Sequence, residues 1–345
     1  MYNVVAIGNA LVDTEFTVSD SALAATGLTR GNMTLADTDT QAALFDTLHT
    51  HGIHPAKQAG GGSAANSMAA FAALGGSAFY NCRVGDDKMG EFYLQDLAEM
   101  GVATDTALAT HQGGVTGSCA VLVTPDAERT MQTHLGASSE IDEKNVNFDA
   151  LVAQNSAQNA KQKQWLYLEG YLAMSPSAMQ AIAKLKAHAK ECGTNIMVSF
   201  ADPAVVKFAK AGLDEMLAGG VAAVFCNQEE ALLYTETTDK QAAAHALLAH
   251  SELAVITDGE NPTLIATRTA GTPELQYVAT PKAVSVVDTN GAGDNFAGAF
   301  LYALSQGHAL DECGKLAGAV ASRVVAQFGA RLTKAEYQEI KAGVL

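Results

Sequence analysis

Short apolar runs alternate with amphipathic helical segments along most of this chain, and that alternation constrains the fold more than any other feature. Asn3–Gly8 reads as a buried strand, Asp39–Thr50 as a helix through Ala42, Phe45 and Leu48, Ser63–Leu74 as an apolar helix and Ser77–Val84 as a strand. Lys88–Met100 is amphipathic, and Gln164–Leu168 is strand-like. Ser175-Pro176 places a cap and a first-turn proline before a helix that ends near Gly193. Asn195–Phe200, Ala222–Cys226 and Leu253–Thr257 are further short strands, and two helices over 292–306 and 309–328 close the pattern. Parallel strands need long, usually helical crossovers. The pattern therefore predicts an α/β fold with a mostly parallel sheet covered on both faces. Val12–Asp37 and Thr116–Leu135 depart from it, being richer in Thr and β-branched residues. Within the second, Pro125-Asp126-Ala127-Glu128 is a predicted turn between strands Ser118–Thr124 and Arg129–His134, so a small β appendage is expected.

Composition narrows the partners. The 345 residues carry a formal charge of −16, with 48% hydrophobic and 17% charged residues. A chain this apolar builds a large core, which excludes disorder. Its acidity argues against nucleic acid and against anionic membranes, both of which need Lys/Arg patches. An anionic ligand would need backbone N–H groups, helix N-termini or a metal. Five scattered cysteines, Cys82, Cys119, Cys192, Cys226 and Cys313, form no CxxC motif. That number and spacing suit a reducing cytoplasm, the expected location. No basic segment opens the chain, so no signal peptide is expected. The charge-free window from Lys57 to Arg83 is long enough to span a bilayer, but its glycines read as loop, buried helix and turn.

Four segments carry candidate chemistry. Asp288-Thr289-Asn290-Gly291-Ala292-Gly293-Asp294 follows a β-like run, Val284–Val287, and opens an apolar helix with Phe296, Phe300 and Leu304. Small residues there leave helix N–H groups open to phosphate oxygens without any lysine. Asp294 reads equally as a helix-start carboxylate or as an acid beside that anion site. Gly60-Gly61-Gly62-Ser63-Ala64-Ala65-Asn66 suggests close backbone approach to a ligand, with Asn66 suited to a sugar diol; a tight turn with a satisfied Asn is the plainer alternative. Asn9 and Asp13 leave the first buried strand, where doubly wound sheets gather ligands; Asp13 alone also fits a solvated loop. Asn227 and Glu230 follow another strand. They read as a helix cap and its capping-box partner, or, for Glu230, as a holder of magnesium-bound water. His49, His51 and His54 read as a solvated cluster. Arg129 is either a surface charge or a phosphate clamp.

With Gly61-Gly62-Ser63-Ala64-Ala65-Asn66 and Asp288–Asp294 both present and in order, the chain closely resembles the ribokinase (PfkB) family of carbohydrate and nucleoside kinases over nearly its whole length. Gly8-Asn9-x-x-x-Asp13, Glu128–Ala137 and Leu168-Glu169-Gly170-Tyr171 look most like its adenosine-kinase-like branch. Met68 departs from the small residue usual in the family. The resemblance implies one ribokinase-like domain over residues 1–345: a three-layer α/β/α sandwich with a β-sheet lid from about 12–37 and 116–135. It implies ATP-dependent phosphorylation of a nucleoside 5′-hydroxyl, or alternatively of a sugar. Asp294 would be the base, and the backbone of Gly291, Ala292, Gly293 and Asp294 the anion hole. Asn9, Asp13, Gly61, Gly62, Ser63 and Asn66 would hold the acceptor, with Arg129 reaching the reacting phosphate. Asn227, Thr257 and Gly259 would bind the nucleotide, although Asn261-Pro262 replaces a second glycine often found there. The helix around Gly318–Ala321 would border the adenine. Glu230 would hold Mg²⁺ through water, and Asp288 with Asn290 the monovalent cation (K⁺) of many members. Phe16, Leu35 and Met131 are candidates for walls around a nucleobase. The expected partner is a small acceptor, with the chain a monomer or a lid-mediated homodimer. A silent sugar or nucleotide sensor is the remote alternative; such a binder would need the glycines but not Asp294.

Overall fold

A computed structural model describes residues 1–126, 128–152, 163–269 and 271–345, so Ala127 of the predicted turn lies outside the described residues. The chain starts with β1 (Val4–Ile7), β2 (Leu11–Thr17), α1 (Asp20–Ala25), β3 (Met33–Leu35), α2 (Thr38–Thr50), β4 (Lys57–Gly61), α3 (Ser63–Ala73) and β5 (Ala78–Asn81). It continues through β6 (Val84–Gly85), α4 (Lys88–Met100), β7 (Val102–Ala103), α5 (Thr106–Ala109), β8 (Thr110–His111), β9 (Gly117–Val123) and β10 (Arg129–His134). Then come β11 (Trp165–Glu169), α6 (Pro176–Cys192), β12 (Asn195–Ser199), α7 (Pro203–Leu217), β13 (Val221–Asn227), α8 (Gln228–Thr235) and α9 (Lys240–Leu247). The last elements are β14 (Ser251–Asp258), β15 (Asn261–Thr269), β16 (Thr272–Val278), α10 (Ala292–Ser305), α11 (Leu310–Val324) and α12 (Lys334–Val344).

Nine strands form the main sheet in the order β16-β15-β14-β13-β12-β11-β1-β5-β7. It is parallel except for the antiparallel β14–β15–β16 flank. Strand alternation divides the core between its faces. Val4 and Ala6 of β1 join residues of α3, α10 and α11 on one side, while Val5 and Ile7 join α6 and α7 on the other. This is the expected α/β/α sandwich. Burial on both faces explains why β1, β5 and β11 are apolar without polar alternation.

A second sheet has the order β3-β10-β9-β2-β4. One face is covered by α1 and α2 through Phe16, Val18, Leu23, Leu44, Leu48 and Leu122. The opposite face looks across a cleft at the ends of the main strands. Besides segments of the two predicted stretches, it takes in β4, where the sequence suggested no strand. β4 pairs with β2 from Gly61 opposite Leu11 to Lys57 opposite Glu15.

Two other expectations change. Val284–Val287 forms no strand; Val284 is 99% and Val286 72% exposed, so apolarity there does not report burial. The hairpin β15–β16 and helix α12 are additional. His49 and His51 end α2, with the His49 and His54 rings 5.9 Å apart. All five cysteines are buried and free. Among the described residues no helix is long and apolar enough to cross a membrane.

Candidate active site

The cleft between the two sheets has a volume of about 670 Å³. Its floor is where parallel strands end, at Asn9, Glu169, Ser199, Asn227 and Thr257. Its roof is Leu11, Met33, Leu35, Cys119 and Met131 of the second sheet. Strand alternation separates the roof residues Leu35 and Met131 from Phe16, which turns away into the core under α2, 5.8 Å from Phe45. Phe16 is therefore not a wall of this site.

The start of α10 closes one end. Gly291 adopts φ +73, and an added Cβ would meet Ala330 at 2.6 Å. This tight turn makes the Asn295 N–H the donor of the first full helical bond, to the Gly291 carbonyl at 2.9 Å. The N–H groups of Gly293 and Asp294 precede that bond and carry the helix's positive end. The Ala292 N–H donates instead to the Thr289 carbonyl at 3.3 Å, so this conformation does not present it to a ligand.

Asp294 is gripped from α3. Ser63 Oγ donates to its Oδ1 at 2.6 Å, and Asn66 Nδ2 to its Oδ2 at 3.0 Å. Burial lifts the Asp294 carboxyl above its ordinary value, while the Ser63 and Asn66 bonds and the nearby Arg331 charge oppose that rise. Such a group is a better proton acceptor than a free carboxylate and remains held by donors that favour its charged form. Asn66 is less versatile than its sequence suggests, because Arg331 Nε donates to its Oδ1 at 2.8 Å. With one N–H given to Asp294, its second amino N–H is the donor left to serve a ligand.

The glycine run has a cause other than ligand approach. A Cβ at Gly60 would strike the Asp96 carboxylate, and one at Gly61 would lie 2.6 Å from Asp13 Oδ2. Gly62 has φ +96 and abuts the Asn9 carbonyl. The run thus makes room for protein groups that line or support the cleft, and Gly62 and Ser63 themselves face it.

Asn9 also lines the cleft, but its side chain is committed. Its Nδ2 donates to Glu169 Oε1 at 2.7 Å, and its Oδ1 accepts from Ser138 Oγ at 3.1 Å. Glu169 Oε2 takes the Ala64 N–H at 2.8 Å, tying β1, β11 and α3 together. Burial pushes the Glu169 carboxyl up to about 7. The Asp13 carboxylate, on β2, has no hydrogen-bond partner among the described residues. Burial raises it to about 6 against the opposing charges of Arg331 and Arg129, leaving an acceptor for a hydroxyl inside the cleft.

The remaining candidates divide. Asn227 and Glu230 form a reciprocal capping box at the start of α8 and both face the cleft. Glu230 is raised to about 7, first by burial and then by the charges of Asp202 and Asp294. Thr257 lines the cleft, whereas Gly259 sits outside its lining, in the turn joining β14 and β15 with φ +56. Gly318 on α11 packs on Pro281, whose carbonyl accepts from Ser322 Oγ at 2.6 Å. Arg129 is not a free surface charge. It pairs with Asp288 at 2.8 Å and with Glu15 at 3.6 Å. The Asn290 and Gly329 N–H groups, each at 3.0 Å, complete the Asp288 carboxylate.

The sequence reading missed Arg331, Asp202 and the bracing role of Glu169. Tyr171 Oη donates to Asp202 Oδ2 at 3.1 Å, and both line the cleft. Ala201 beside them holds a left-handed φ of +72, unusual for a non-glycine. A polar residue directly after an apolar strand, as at Glu169, was the available signal; Arg331 in a loop offered none.

Comparison with known proteins places these features. A model described as pfkB family carbohydrate kinase matches residues 23–336. Adenosine kinase of Saccharomyces cerevisiae is 29% identical over 326 residues, covering 89% of this chain and 90% of that protein. The structure of adenosine kinase from Sinorhizobium meliloti superposes with a TM-score of 0.85 at 32% identity, covering 100% of this chain and 99% of that one. That of the probable sugar kinase protein from Rhizobium etli gives 0.85 at 33% identity, with the same coverages.

Proposed function

This chain belongs to the pfkB family of carbohydrate kinases, and from that premise we propose that it moves the γ-phosphate of ATP to the 5′-hydroxyl of an adenosine-like nucleoside. That it is an ATP-dependent kinase with an alcohol acceptor follows from the family and from adenosine kinase relatives. One observation carries the site assignment: Asp294, held by Ser63 and Asn66, lies beside the first-turn N–H groups of α10 and opens into the cleft. In this reading Asp294 takes the acceptor's hydroxyl proton. The acceptor oxygen bonds to the γ-phosphorus as the bond to the β–γ bridging oxygen breaks, and ADP leaves. The N–H groups of Gly293 and Asp294 face the charge on the transferring phosphoryl. Positioning and electrostatics of this kind supply most of such catalysis.

Asp13 holds an acceptor hydroxyl, with the Asn66 amino group nearby, while Asn9 braces the floor through Glu169. Leu11, Leu35 and Met131 form an apolar roof that suits a nucleobase better than a free sugar. Adenosine kinase relatives support the same acceptor. Asn227, Thr257 and the α10 N-terminus line the ATP side. Both oxygens of Glu230 already accept from Asn227, which fits magnesium held through its water shell and not directly. Mg²⁺ bound there would neutralise phosphate charge. Asp288, filled by Arg129 and two N–H groups, does not fit a K⁺ ligand in this conformation. Arg129 would exchange Asp288 for phosphate as the second sheet closes as a lid. The outer face of that sheet is covered by α1 and α2, which favours a monomer over a lid-mediated dimer. A sugar kinase is the second reading, supported by the Rhizobium etli likeness.

An ATP-consumption screen over adenosine, inosine, guanosine, ribose, fructose and 2-keto-3-deoxygluconate, with and without K⁺, tests the acceptor. Turnover on adenosine, with product phosphorylated at O5′, is expected. Strong turnover on a free sugar and none on any nucleoside overturns the nucleoside assignment.

A further inference from the structure

Arg331 lies in the loop between α11 and α12, with a side chain 9% exposed. Nothing in its sequence context marks it as functional. Its Nη1 donates to Asp96 Oδ2 of α4 at 2.5 Å, and its Nε to Asn66 Oδ1 of α3 at 2.8 Å. Gly60 leaves the space in which Asp96 and Arg331 meet.

The chemistry of the donor set fixes an orientation. An amide can turn either end toward a neighbour, but arginine has only donors. Facing Nε, Asn66 must offer its oxygen, and its nitrogen is then the end 3.0 Å from Asp294 Oδ2. Turned over, the amide would set its NH₂ against a guanidinium and its oxygen against a carboxylate, unfavourable at both ends. We propose that Arg331 is a positioning residue for phosphoryl transfer: anchored by Asp96, it locks Asn66 so that the amide donates to Asp294 and holds that carboxylate toward the acceptor. Arg331 is absent from the cleft lining and meets the base through Asn66; its charge also holds the Asp294 carboxyl down, an effect that a lysine at 331 retains. The proposal rests on Asp294 being the base.

The test uses the full-length enzyme with MgATP and adenosine, and ribose in parallel. Arg331→Met, Arg331→Lys, Asn66→Ala, Asp294→Asn and the Arg331→Lys/Asn66→Ala pair are compared. Misplacing a reacting group by about an ångström lowers turnover by up to about 100-fold. Arg331→Met is therefore expected to lower kcat by roughly 10- to 100-fold, with KM for MgATP within about twofold of the parent. Lysine keeps the charge but not the fork that reaches two partners. Arg331→Lys is expected to fold normally and still fail to restore kcat, and it decides the matter if the methionine variant does not fold. With Asn66 already removed, Arg331→Lys, which keeps the charge near Asp294, should lower kcat by less than about twofold, the non-additivity of residues acting in series. Wild-type kcat in Arg331→Lys, a change confined to KM, or losses that multiply in the double variant would each overturn the proposal. Full turnover in Asp294→Asn would instead remove the base assignment, so the two failures are told apart.

Discussion

Gly298→Ala tests how the site is held together without touching a group that meets substrate. Gly298 lies one turn beyond Asp294 on α10, and Ser67 one turn beyond Ser63 on α3. A Cβ added at Gly298 would fall 2.1 Å from the Ser67 carbonyl oxygen and 3.0 Å from its Cα. Neither helix backbone can yield as a flexible side chain would. Restoring ordinary contact distance requires the helices to separate by about 1 Å or more. The Ser63–Asp294 hydrogen bond, 2.6 Å now, would be stretched to the edge of hydrogen-bonding distance. Overpacking of this kind destabilises by about 1–3 kcal/mol. A shift of the base by that much lowers kcat by on the order of 10²-fold. Steady-state kinetics should show kcat falling far more than KM for MgATP changes, and calorimetry should show a lowered Tm. A variant with parental kcat and Tm would refute the idea that this helix contact sets the base geometry.

Asp294→Asn should lower kcat by about 10²–10⁴-fold while leaving acceptor binding largely intact, measured by coupled assay and calorimetric titration. Stability should fall as pH rises from 5 to 8. Glu169 and Glu230 are raised from 4.5 to about 7 in the folded state, so the native chain binds more protons across that window. By linkage each contributes at most about 3 kcal/mol, present below the unfolded value and lost as pH climbs through the folded one. The lowered carboxylates Asp37, Asp87 and Asp126 titrate below that window. Urea midpoints that rise toward pH 8 would contradict this, and Glu169→Gln should flatten the profile. Ala201→Gly relieves a left-handed alanine and should stabilise by up to about 1 kcal/mol after the entropy of glycine is counted. A lower Tm in that variant would show the conformation to be unstrained.

Most of the sandwich was legible because a strand buried on both faces has no choice but a continuous apolar run. β1, β11 and α4 fall where periodicity puts them. Val284–Val287 misled for the converse reason: four residues with apolar members describe preference, not neighbours, and Val284 and Val286 face solvent. β15 was missed because Pro262, Thr263 and Arg268 interrupt its apolar residues, and β4 because its two glycines look like loop. Asp294 on one side and Ser63 and Asn66 on the other were legible as two separate glycine-marked helix starts, but not as a contact, because 231 and 228 residues separate the partners. The Asn227–Glu230 spacing was equally visible, and the structure realises its plainer reading as a capping box. Arg129 facing Asp288 and Arg331 facing Asn66 could not be read, because a lone charge in the sequence does not reveal the partner that folding brings to it.

The distances along the chain between Asp294 and its holders set an order of events. Ser63 and Asn66 precede Asp294 by 231 and 228 residues, and Arg331 follows Asn66 by 265. From β11 outward, each new strand joins the flank of the sheet beside the one made before it. Chains are made from the N-terminus, and early parts can fold first. A ribosome would thus release the cleft's floor and roof well before the helix that carries Asp294, the proposed base. On the proposed assignment, phosphoryl transfer waits for the docking of α10 and of the loop after α11, which emerge after every strand of both sheets.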